Sequence, residues 1–313
     1  MIFCKKKIIQ FCKKKLFPLF FIFFLFLNNI NIANSQSSLL PDQEQKLNIL
    51  TWNLYMRPRT VFKNGQVSRA YAIVEQLKNK NYDVIVFQEA FDNKSRKIIW
   101  NGLKKQFPFK SDQPKHKYFY KISTGIFIIS KLPINVIDNI YFSICGGSDC
   151  YAVKGAVLVD VVKNGHKVQI IGTHLQSADG KKMTGEEIRQ IQYMEIKNKL
   201  MTPYEEKGVP QFFAGDLNIP KDDKKEYEQM LALMDVEDGE ISGENQFSSG
   251  GGGLNDLQNH KNKARIIDYI LCRNNGSNVR FTQRCVKIFQ QRWSKKNKDL
   301  SDHYAVLAEI AIK

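Results

Sequence analysis

Residues 211–218 read Gln-Phe-Phe-Ala-Gly-Asp-Leu-Asn, an apolar run that is followed at once by two polar side chains. The run at 211–214 has the length and composition of a buried strand. Asp216 and Asn218 therefore come directly after a predicted strand. Because rigid scaffolds present catalytic groups at the ends of buried strands, this stretch predicts a sheet-based fold and marks a candidate site.

The same pattern of a short apolar run bounded by turn residues recurs along the chain. We predict strands at residues 47–54, 84–87, 126–129, 156–162, 168–172, 211–214, 266–272 and 304–312. Helical patterns lie at 67–77 and 227–234, and a capping box at 184–187 begins a third helix that runs towards Leu200. Because strands and helices interleave, the predicted class is α/β or α+β, with buried sheets in one domain. The Gly-rich stretch 248–253 is predicted to be a mobile surface loop.

Polar side chains interrupt or follow most of the predicted strands. They are Asn53, Glu89, His174, Asp216, Asn218, Asp268, Asp302 and His303. Taken singly, each has an ordinary structural explanation, such as a turn cap or a hydrogen-bonded core histidine. Asp268 is harder to explain, because a carboxylate inside the apolar run 266–271 costs several kcal/mol unless a cation or hydrogen bonds compensate it.

As a set, these residues have the chemistry of a metal-assisted phosphoesterase. Carboxylate and amide oxygens are ligands that suit Mg²⁺, and two histidines can transfer protons near neutral pH. Zinc is disfavoured, because no two His or Cys residues have a zinc-ligand spacing beside a third partner. Hydrolysis of a phosphoester needs an ion to neutralise the non-bridging oxygens, a base for water and an acid for the leaving oxygen.

The first 35 residues differ in composition from the rest of the chain. Six lysines precede a 12-residue apolar run at 16–27, and the small residues Ala33 and Ser35 precede a cleavage position. We predict a signal peptide at 1–35, a catalytic domain at 36–313 and hence a secreted, extracellular protein. A retained membrane anchor is the alternative, although a spanning helix needs roughly 20 apolar residues. Residues 36–313 carry 41 basic and 31 acidic groups, and this net charge of +10 suits nucleic acid or anionic membrane surfaces.

Four cysteines remain after that segment, namely Cys145, Cys150, Cys272 and Cys285. An even number in an exported protein allows up to two disulfides. Of the three connectivities we favour pairing within each neighbouring couple, 145 with 150 and 272 with 285. The alternative for Cys272 is a small apolar core residue, because it closes the run Ile270-Leu271-Cys272.

Six short motifs occur in the order found in the deoxyribonuclease I-like endonuclease/exonuclease/phosphatase superfamily, which the chain resembles from about residue 46 to residue 313. They are Trp52-Asn53, Gln88-Glu89, Gly172-Thr173-His174-Leu175, Gly215-Asp216-Leu217-Asn218, Ile267-Asp268-Tyr269-Ile270 and Ser301-Asp302-His303. Further matches resemble secreted bacterial-type sphingomyelinase C within that superfamily. They are Asn53-Leu54-Tyr55-Met56, Glu89-Ala90-Phe91-Asp92-Asn93, Cys145-Gly146-Gly147, Lys154-Gly155 and Gln176.

The resemblance implies a four-layer sandwich of two packed mixed β-sheets flanked by helices, with one site where strand ends converge. It implies Mg²⁺ as the cofactor, and hydrolysis of sphingomyelin in membranes to ceramide and phosphocholine. Glu89 would be the central Mg²⁺ ligand, with Asn53 beside it and Asp302 supporting the metal side. Asp216 and Asn218 would join this metal site and position the attacking water and a phosphate oxygen.

The resemblance also implies roles in proton transfer. His303 would be the general base that activates water, and Asp268 would hold its ring. His174 would face the other side of the phosphorus, where it would stabilise the phosphate or protonate the ceramide oxygen.

Contact with the membrane is a further expectation. Haemolytic relatives carry a hairpin with adjacent exposed aromatic residues before the Ser-Asp-His motif, whereas residues 289–296 here contain one tryptophan and a basic stretch. Phe91 and Trp293 are candidates for interfacial contact, and the alternative is a partly buried aromatic side chain that anchors a loop. An aromatic face can bind choline, for which Trp52, Tyr55 and Tyr269 are candidates.

The first interpretation is therefore a secreted Mg²⁺-dependent sphingomyelin phosphodiesterase with no obligate protein partner. A secreted Mg²⁺-dependent nuclease of the same superfamily is the alternative, which the net charge of +10 favours. A third interpretation is an inactive lipid-binding or toxin module, and the intact set of polar site residues opposes it.

Overall fold

The described residues form eleven β-strands and four α-helices. A computed structural model of the chain describes residues 45–111, 122–251, 253–258 and 261–312. The strands are β1 (Gln45–Asn53), β2 (Val84–Gln88), β3 (Phe109–Lys110), β4 (Phe127–Ser130), β5 (Ile134–Tyr141), β6 (Gly155–Lys163), β7 (His166–His174), β8 (Gln211–Asp216), β9 (Asp268–Arg273), β10 (Arg280–Lys287) and β11 (Ala305–Ile312). The helices are α1 (Gln66–Leu77), α2 (Asn93–Leu103), α3 (Gly185–Ile196) and α4 (Lys224–Met234).

The strands form two sheets, and each sheet contains one parallel pair. The first sheet has the order β10-β11-β1-β2-β4-β3, and the second has the order β5-β6-β7-β8-β9. β1 is parallel to β2 and β7 is parallel to β8, whereas the other neighbours are antiparallel. Helices α1 and α2 pack on the outer face of the first sheet, and α3 and α4 pack on that of the second. The predicted four-layer sandwich of two mixed sheets is confirmed.

The alternation of side chains along each strand explains this layering. In β1, Leu47 and Ile49 lie in the cluster between the two sheets, whereas Leu50 and Trp52 lie in the cluster beneath α1 and α2. Successive side chains of a strand point to opposite faces, so a strand that is covered on both faces must be apolar throughout. This is why the central strands are visible in the sequence as unbroken apolar runs.

Three strands and one helix lie where the sequence patterns predicted none. β3, β5 and β10 are edge strands, and edge strands carry polar residues in place of a continuous apolar run. α2 is rich in basic residues, but Ser95, Ile99 and Leu103 are buried at a spacing of four. Asp92 caps this helix by accepting a hydrogen bond from the Ser95 amide at 2.9 Å.

The predicted capping box at the start of α3 is confirmed. The Glu187 amide donates to Thr184 Oγ1 at 3.2 Å, and the Thr184 amide donates to Glu187 Oε2 at 2.8 Å. A single π-helical turn over Lys197–Met201 extends the helix to the predicted region of Leu200. The two hydrogen bonds between Thr184 and Glu187 satisfy two of the backbone amides that have no partner at a helix start.

Gly215 is required because β7 and β8 approach each other closely beside the site. A Cβ atom at Gly215 would lie 2.0 Å from the carbonyl oxygen of Thr173, which belongs to the backbone and cannot move aside. Gly215→Ala is therefore expected to lower the free energy of unfolding by about 3 kcal/mol or more, measured by urea denaturation.

Gly165→Ala is the matched control for that substitution. Gly165 has open space around it and φ of +87°, so the added methyl group strains only the backbone. We expect the control to cost about 1 kcal/mol. Equal losses for the two variants would show that crowding at Gly215 is unimportant.

The predictions for the cysteines are half correct. Cys145 and Cys150 form a disulfide, as expected. The predicted pairing of Cys272 with Cys285 is wrong, because both are buried free thiols and they lie in strands of different sheets, β9 and β10. Cys272 is the core residue that the alternative interpretation described, and burial raises the pKa of its thiol to about 12.

The stretch 248–253 was predicted to be a surface loop, and this is wrong for its first part. Ser248 is fully buried, and its hydroxyl accepts hydrogen bonds from the amides of Ile267 and Asp268 at 3.1 and 3.0 Å. The Gly250 amide donates to the carbonyl oxygen of Asp302 at 3.3 Å. The small residues therefore let this segment pack closely behind the site.

The predicted signal peptide at 1–35 lies outside the described residues, so its cleavage and the domain start at 36 stay predictions. The described residues belong to one compact unit. Within the described ranges, no helix has the length and apolar character needed to cross a bilayer.

Candidate active site

Polar side chains from both sheets meet at one end of the sandwich. Asn53 ends β1, and Glu89 directly follows the parallel strand β2. His174 and Asp216 end the parallel strands β7 and β8, where they are register partners. Asp268 begins the antiparallel strand β9 opposite Asp216. The carboxyl ends of β1, β2, β7 and β8 and the start of β9 therefore lie together, and the topology gathers residues that are far apart in the sequence.

Asn53 connects the two sheets at the centre of this cluster. Its Nδ2 donates to Glu89 Oε1 at 3.0 Å and to Asp216 Oδ2 at 2.9 Å. The Tyr55 amide in turn donates to Asn53 Oδ1 at 3.0 Å and fixes the amide plane. The buried amide therefore separates two carboxylates that would otherwise repel each other.

His303 and Asp268 form a buried pair. His303 Nδ1 lies 2.8 Å from Asp268 Oδ2, and His303 Nε2 lies 3.8 Å from Asp216 Oδ2. Asp268 is fully buried and is the first residue of β9, so the expectation that it lies inside an apolar strand needs correction. Burial disfavours charge on the ring, but Asp268 and Asp216 outweigh burial and raise the pKa of His303 well above 6.5.

Trp52 and Ser301 fix the backbone around His303. Trp52 Nε1 donates to the carbonyl oxygen of His303 at 3.0 Å, and Ser301 Oγ donates to the carbonyl oxygen of Asn53 at 2.6 Å. The His303 amide donates to Ser301 Oγ at 3.2 Å. These bonds give a physical reason for the tryptophan and serine of the two motifs, since each motif holds the other in place.

His174 is held in the neutral state beside a buried lysine. Lys154 Nζ lies 3.2 Å from His174 Nε2, and Asp216 Oδ2 lies 3.4 Å from the same nitrogen. Burial and the Lys154 charge lower the pKa of His174 to about 3. An ammonium group can only donate, so Nε2 accepts and the ring proton is on Nδ1, a buried atom with no partner among the described residues. The Lys154-Gly155 match does not by itself predict this contact, because no local pattern links Lys154 to His174.

The disulfide loop holds Lys154 in place. Lys154 Nζ donates to Asp149 Oδ2 and to the carbonyl oxygen of Leu175, at 2.8 and 2.7 Å. Asp149 lies in the short turn Gly147–Tyr151, which the Cys145–Cys150 disulfide closes. Gln176 Nε2 donates to the Gly146 carbonyl and its Oε1 accepts from the Gly146 amide, both at 3.0 Å. The sphingomyelinase-like matches at these positions therefore form one structural unit next to His174.

Lys154→Met is expected to raise the pKa of His174 towards 6.5, while burial keeps it below that value. The lowered pKa means that His174 disfavours folding increasingly as the pH falls from 6.5 to about 3, because only the unfolded chain then takes up the proton. The variant should lose less stability over this range. Histidine ring NMR reports the pKa, and Lys167→Met at the far end of β7 is the control. An unmoved His174 titration would contradict the assignment.

The acidic side of the site has the properties of a divalent cation site. Burial and the nearby Asp302 raise the pKa of Glu89 to about 7, and burial together with Asp216 raises the pKa of Asp302. Donor atoms of Asp216, Asp268 and His303 lie within 4.8 Å of one another, and Asp268 Oδ1 is buried with no partner among the residues that the structure describes. Carboxylates whose ionisation is suppressed by mutual repulsion are stabilised by a bound cation, so these residues fit Mg²⁺.

Two site residues adopt a left-handed backbone conformation. Glu89 has φ of 49° and Asn218 has φ of 52°, which are uncommon values for residues other than glycine. The Asn218 amide donates to Asp216 Oδ1 at 3.0 Å, and its Nδ2 donates to the Leu175 carbonyl at 3.2 Å. Backbone strain of this kind is characteristic of functional sites. Here both strained residues follow the end of a strand.

The aromatic candidates have different environments. Trp52 and Tyr269 are fully buried, which excludes them from direct contact with a choline group in this conformation. Trp293 is partly buried, donates to the Asp299 carbonyl at 2.8 Å and packs on Gly65, as the loop-anchoring alternative describes. Phe91 is partly exposed beside Gly125, and Tyr55 is partly exposed.

Comparison with known proteins finds a matching family and several similar proteins. The model of the Endonuclease/Exonuclease/phosphatase family matches residues 50–303. A sphingomyelinase C from Leptospira interrogans is 35% identical over 207 residues, covering 61% of this chain and 37% of that protein. A phospholipase C from Staphylococcus aureus is 31% identical over 228 residues, covering 68% of each chain.

Solved structures show the same fold. A beta toxin variant from Staphylococcus aureus with bound magnesium ions has a TM-score of 0.73 and 25% identity, covering 86% of this chain and 100% of that chain. The chain spans only 37% of the length of two Leptospira relatives that it matches.

Proposed function

The chain belongs to the sphingomyelinase C group of the endonuclease/exonuclease/phosphatase family, and from this membership we propose that it is a Mg²⁺-dependent sphingomyelin phosphodiesterase. The family membership confirms the resemblance drawn from the sequence motifs. The reaction consumes one water, breaks the bond between phosphorus and the ceramide oxygen, and yields ceramide and phosphocholine. The observation that carries the proposal is the His303–Asp268 pair, 2.8 Å apart, inside a cluster of carboxylates at converging strand ends.

His303 is the better general base of the two histidines. Its Nδ1 is bonded to Asp268, so Nε2 is the atom that takes the proton from water. His174 is a poor base, because its pKa is lowered to about 3 and its Nε2 already accepts from Lys154. The nearby carboxylates raise the pKa of His303, and neutralising their charge would lower this pKa towards the range where a base works.

His174 is then a neutral side chain next to the Lys154 ammonium group. Its protonation of the leaving oxygen, one of the two roles implied by the resemblance, is not supported by a pKa of about 3. Stabilisation of a phosphate oxygen, the other implied role, suits the positive charge of the adjacent Lys154 ammonium group. Asn218 and Asp216 lie beside these groups and position the phosphate and the water.

Glu89, Asn53 and Asp302 would hold the metal, with Asp216 beside them. Mg²⁺ bound there would neutralise the non-bridging phosphate oxygens and favour attack by water. Asn53 Nδ2 donates to both Glu89 and Asp216, so these three side chains already form one hydrogen-bonded group. Secretion and the signal peptide at 1–35 are parts of the same proposal.

The test compares two substrates in Mg²⁺ buffer with residues 36–313 and with the variant His303→Ala. Sphingomyelin liposomes are assayed for phosphocholine, and supercoiled plasmid is assayed for nicking. Phosphocholine release without nicking is the expected result, and the variant must be inactive in both assays. Nicking without phosphocholine release would favour the nuclease, which the net charge of +10 keeps as the second candidate.

A further inference from the structure

Three strongly exposed apolar side chains lie on loops at the site end of the molecule. The four most exposed large apolar side chains in the described ranges are Tyr151 (74%), Val61 (71%), Tyr71 (60%) and Leu254 (55%). Tyr71 lies on α1, but the other three lie on three separate loops at the site end. We refer to Val61, Tyr151 and Leu254 as the rim side chains.

Each rim loop is joined to a site residue. Val61 lies on the loop that follows Asn53, and Tyr151 lies on the disulfide-closed turn just before Lys154. The carbonyl oxygen of Leu254 accepts from the Tyr304 hydroxyl at 3.0 Å, next to His303. The rim side chains therefore lie on three loops that are each attached to a segment carrying a site residue.

A preorganised arginine lies on the same side of the molecule. The Arg57 guanidinium lies 3.8 Å from the Phe62 ring centroid and 4.4 Å from that of Tyr55, and it donates to the Tyr55 hydroxyl at 2.6 Å. Its Nε is buried without a hydrogen-bond partner, and no ion pair to Arg57 occurs among the described residues. A guanidinium held by two aromatic rings keeps donors free for an oxyanion at little entropic cost.

Further positive charge lies on the loops at the site end. Lys63 is exposed two residues after Val61, and Lys181 and Lys182 are exposed on the loop that follows His174. Apolar side chains that project beyond a basic rim are the pattern of a protein that docks on the headgroups of a bilayer.

We propose that the rim side chains enter the headgroup region of a phospholipid surface and that Arg57 binds a lipid phosphate beside them. This docking surface rests on the proposed function, since it places the site over the membrane that contains the substrate. It uses side chains other than Trp293, which is anchored in its own loop.

The experiment measures binding to vesicles of phosphatidylcholine and phosphatidylserine without sphingomyelin, so that no turnover alters the membrane. Val61→Ser, Tyr151→Ser and Leu254→Ser combined should weaken binding about tenfold. Arg57→Gln alone should weaken it about fivefold and reduce its dependence on salt. The matched control combines Val162→Ser, Tyr71→Ser and Val136→Ser, which lie away from the site end, and it should bind as the unaltered protein does.

Phosphocholine release from two kinds of substrate distinguishes membrane docking from the catalytic step. The rim variant should lose phosphocholine release from liposomes but keep release from a water-soluble short-chain sphingomyelin, with an unchanged melting temperature. Equal binding of the rim variant and the unaltered protein would overturn the proposal, as would equal losses in the control variant or preferential binding of plasmid DNA. Vesicle binding through the rim with no release from either substrate would instead overturn the proposed function and leave the docking surface.

Discussion

His303→Ala is expected to lower kcat for phosphocholine release by about 10³-fold with little change in vesicle binding. The substitution removes the imidazole whose Nδ1 is bonded to Asp268 and whose Nε2 faces Asp216. No other described histidine can replace it, because His174 is held neutral against Lys154. Steady-state kinetics on sphingomyelin liposomes measures the loss.

Asp268→Asn is the companion to that variant. The amide keeps the shape of the side chain but removes the charge that raises the pKa of His303, so the base is weaker and its tautomer is no longer fixed. We expect a loss of kcat that is smaller than that of His303→Ala. The pKa that governs the acid limb of the pH profile should fall. Glu309→Gln, on the outer part of β11 where Glu309 pairs with Lys46, should change neither quantity. An active His303→Ala variant would remove His303 from the mechanism.

Removal of divalent metal is expected to abolish turnover, and Mg²⁺ is expected to restore it. The carboxylates of Glu89 and Asp302 repel each other in the metal-free site, which leaves the Glu89 proton bound up to a pH of about 7. Mg²⁺ must displace this proton, so its affinity should rise by about tenfold per pH unit below pH 7 and level off above it. Calorimetric titration with Mg²⁺ at several pH values measures this dependence.

Without Mg²⁺, the folding stability contributed by Glu89 should fall as the pH rises, whereas the affinity for Mg²⁺ rises over the same range. The pKa of Glu89 is raised from 4.5 to about 7 on folding, so the folded chain binds more protons between these values. Folding stability contributed by this group is therefore present below pH 4.5 and is lost as the pH rises towards 7. Glu89→Gln should remove both this dependence and Mg²⁺ binding. Full activity in excess chelator would contradict the metal assignment.

The core strands and the main site residues could be predicted from the sequence for one physical reason. Strands covered on both faces are continuously apolar, so a polar residue that ends such a run stands out. Asn53, Glu89, His174 and Asp216 were found in this way, and the structure brings them together. That the predicted residues meet in the structure shows how strongly a buried sheet restricts the sequence around a site.

Other parts of the site depend on contacts that leave no local pattern. Lys154 matters because the Asp149 carboxylate, held by a disulfide-closed turn, directs its ammonium group towards His174. Arg69 is fully buried and donates to the carbonyls of Leu54 and Leu300, which joins the chain after Asn53 to the chain before His303. The predicted disulfide between the two buried cysteines was wrong for the same reason, because nearness in sequence does not reveal which sheet a strand joins.

The position of β11 in the first sheet affects how the chain can fold as it is made. β11 lies between β10 and β1, and Gln45 at the start of β1 is paired with Ile312. The growing chain therefore cannot complete this sheet until residues beyond 300 have left the ribosome, and such distant pairing is slow. A nascent chain that lacks β11 would hold β10 and β1 without the strand that joins them.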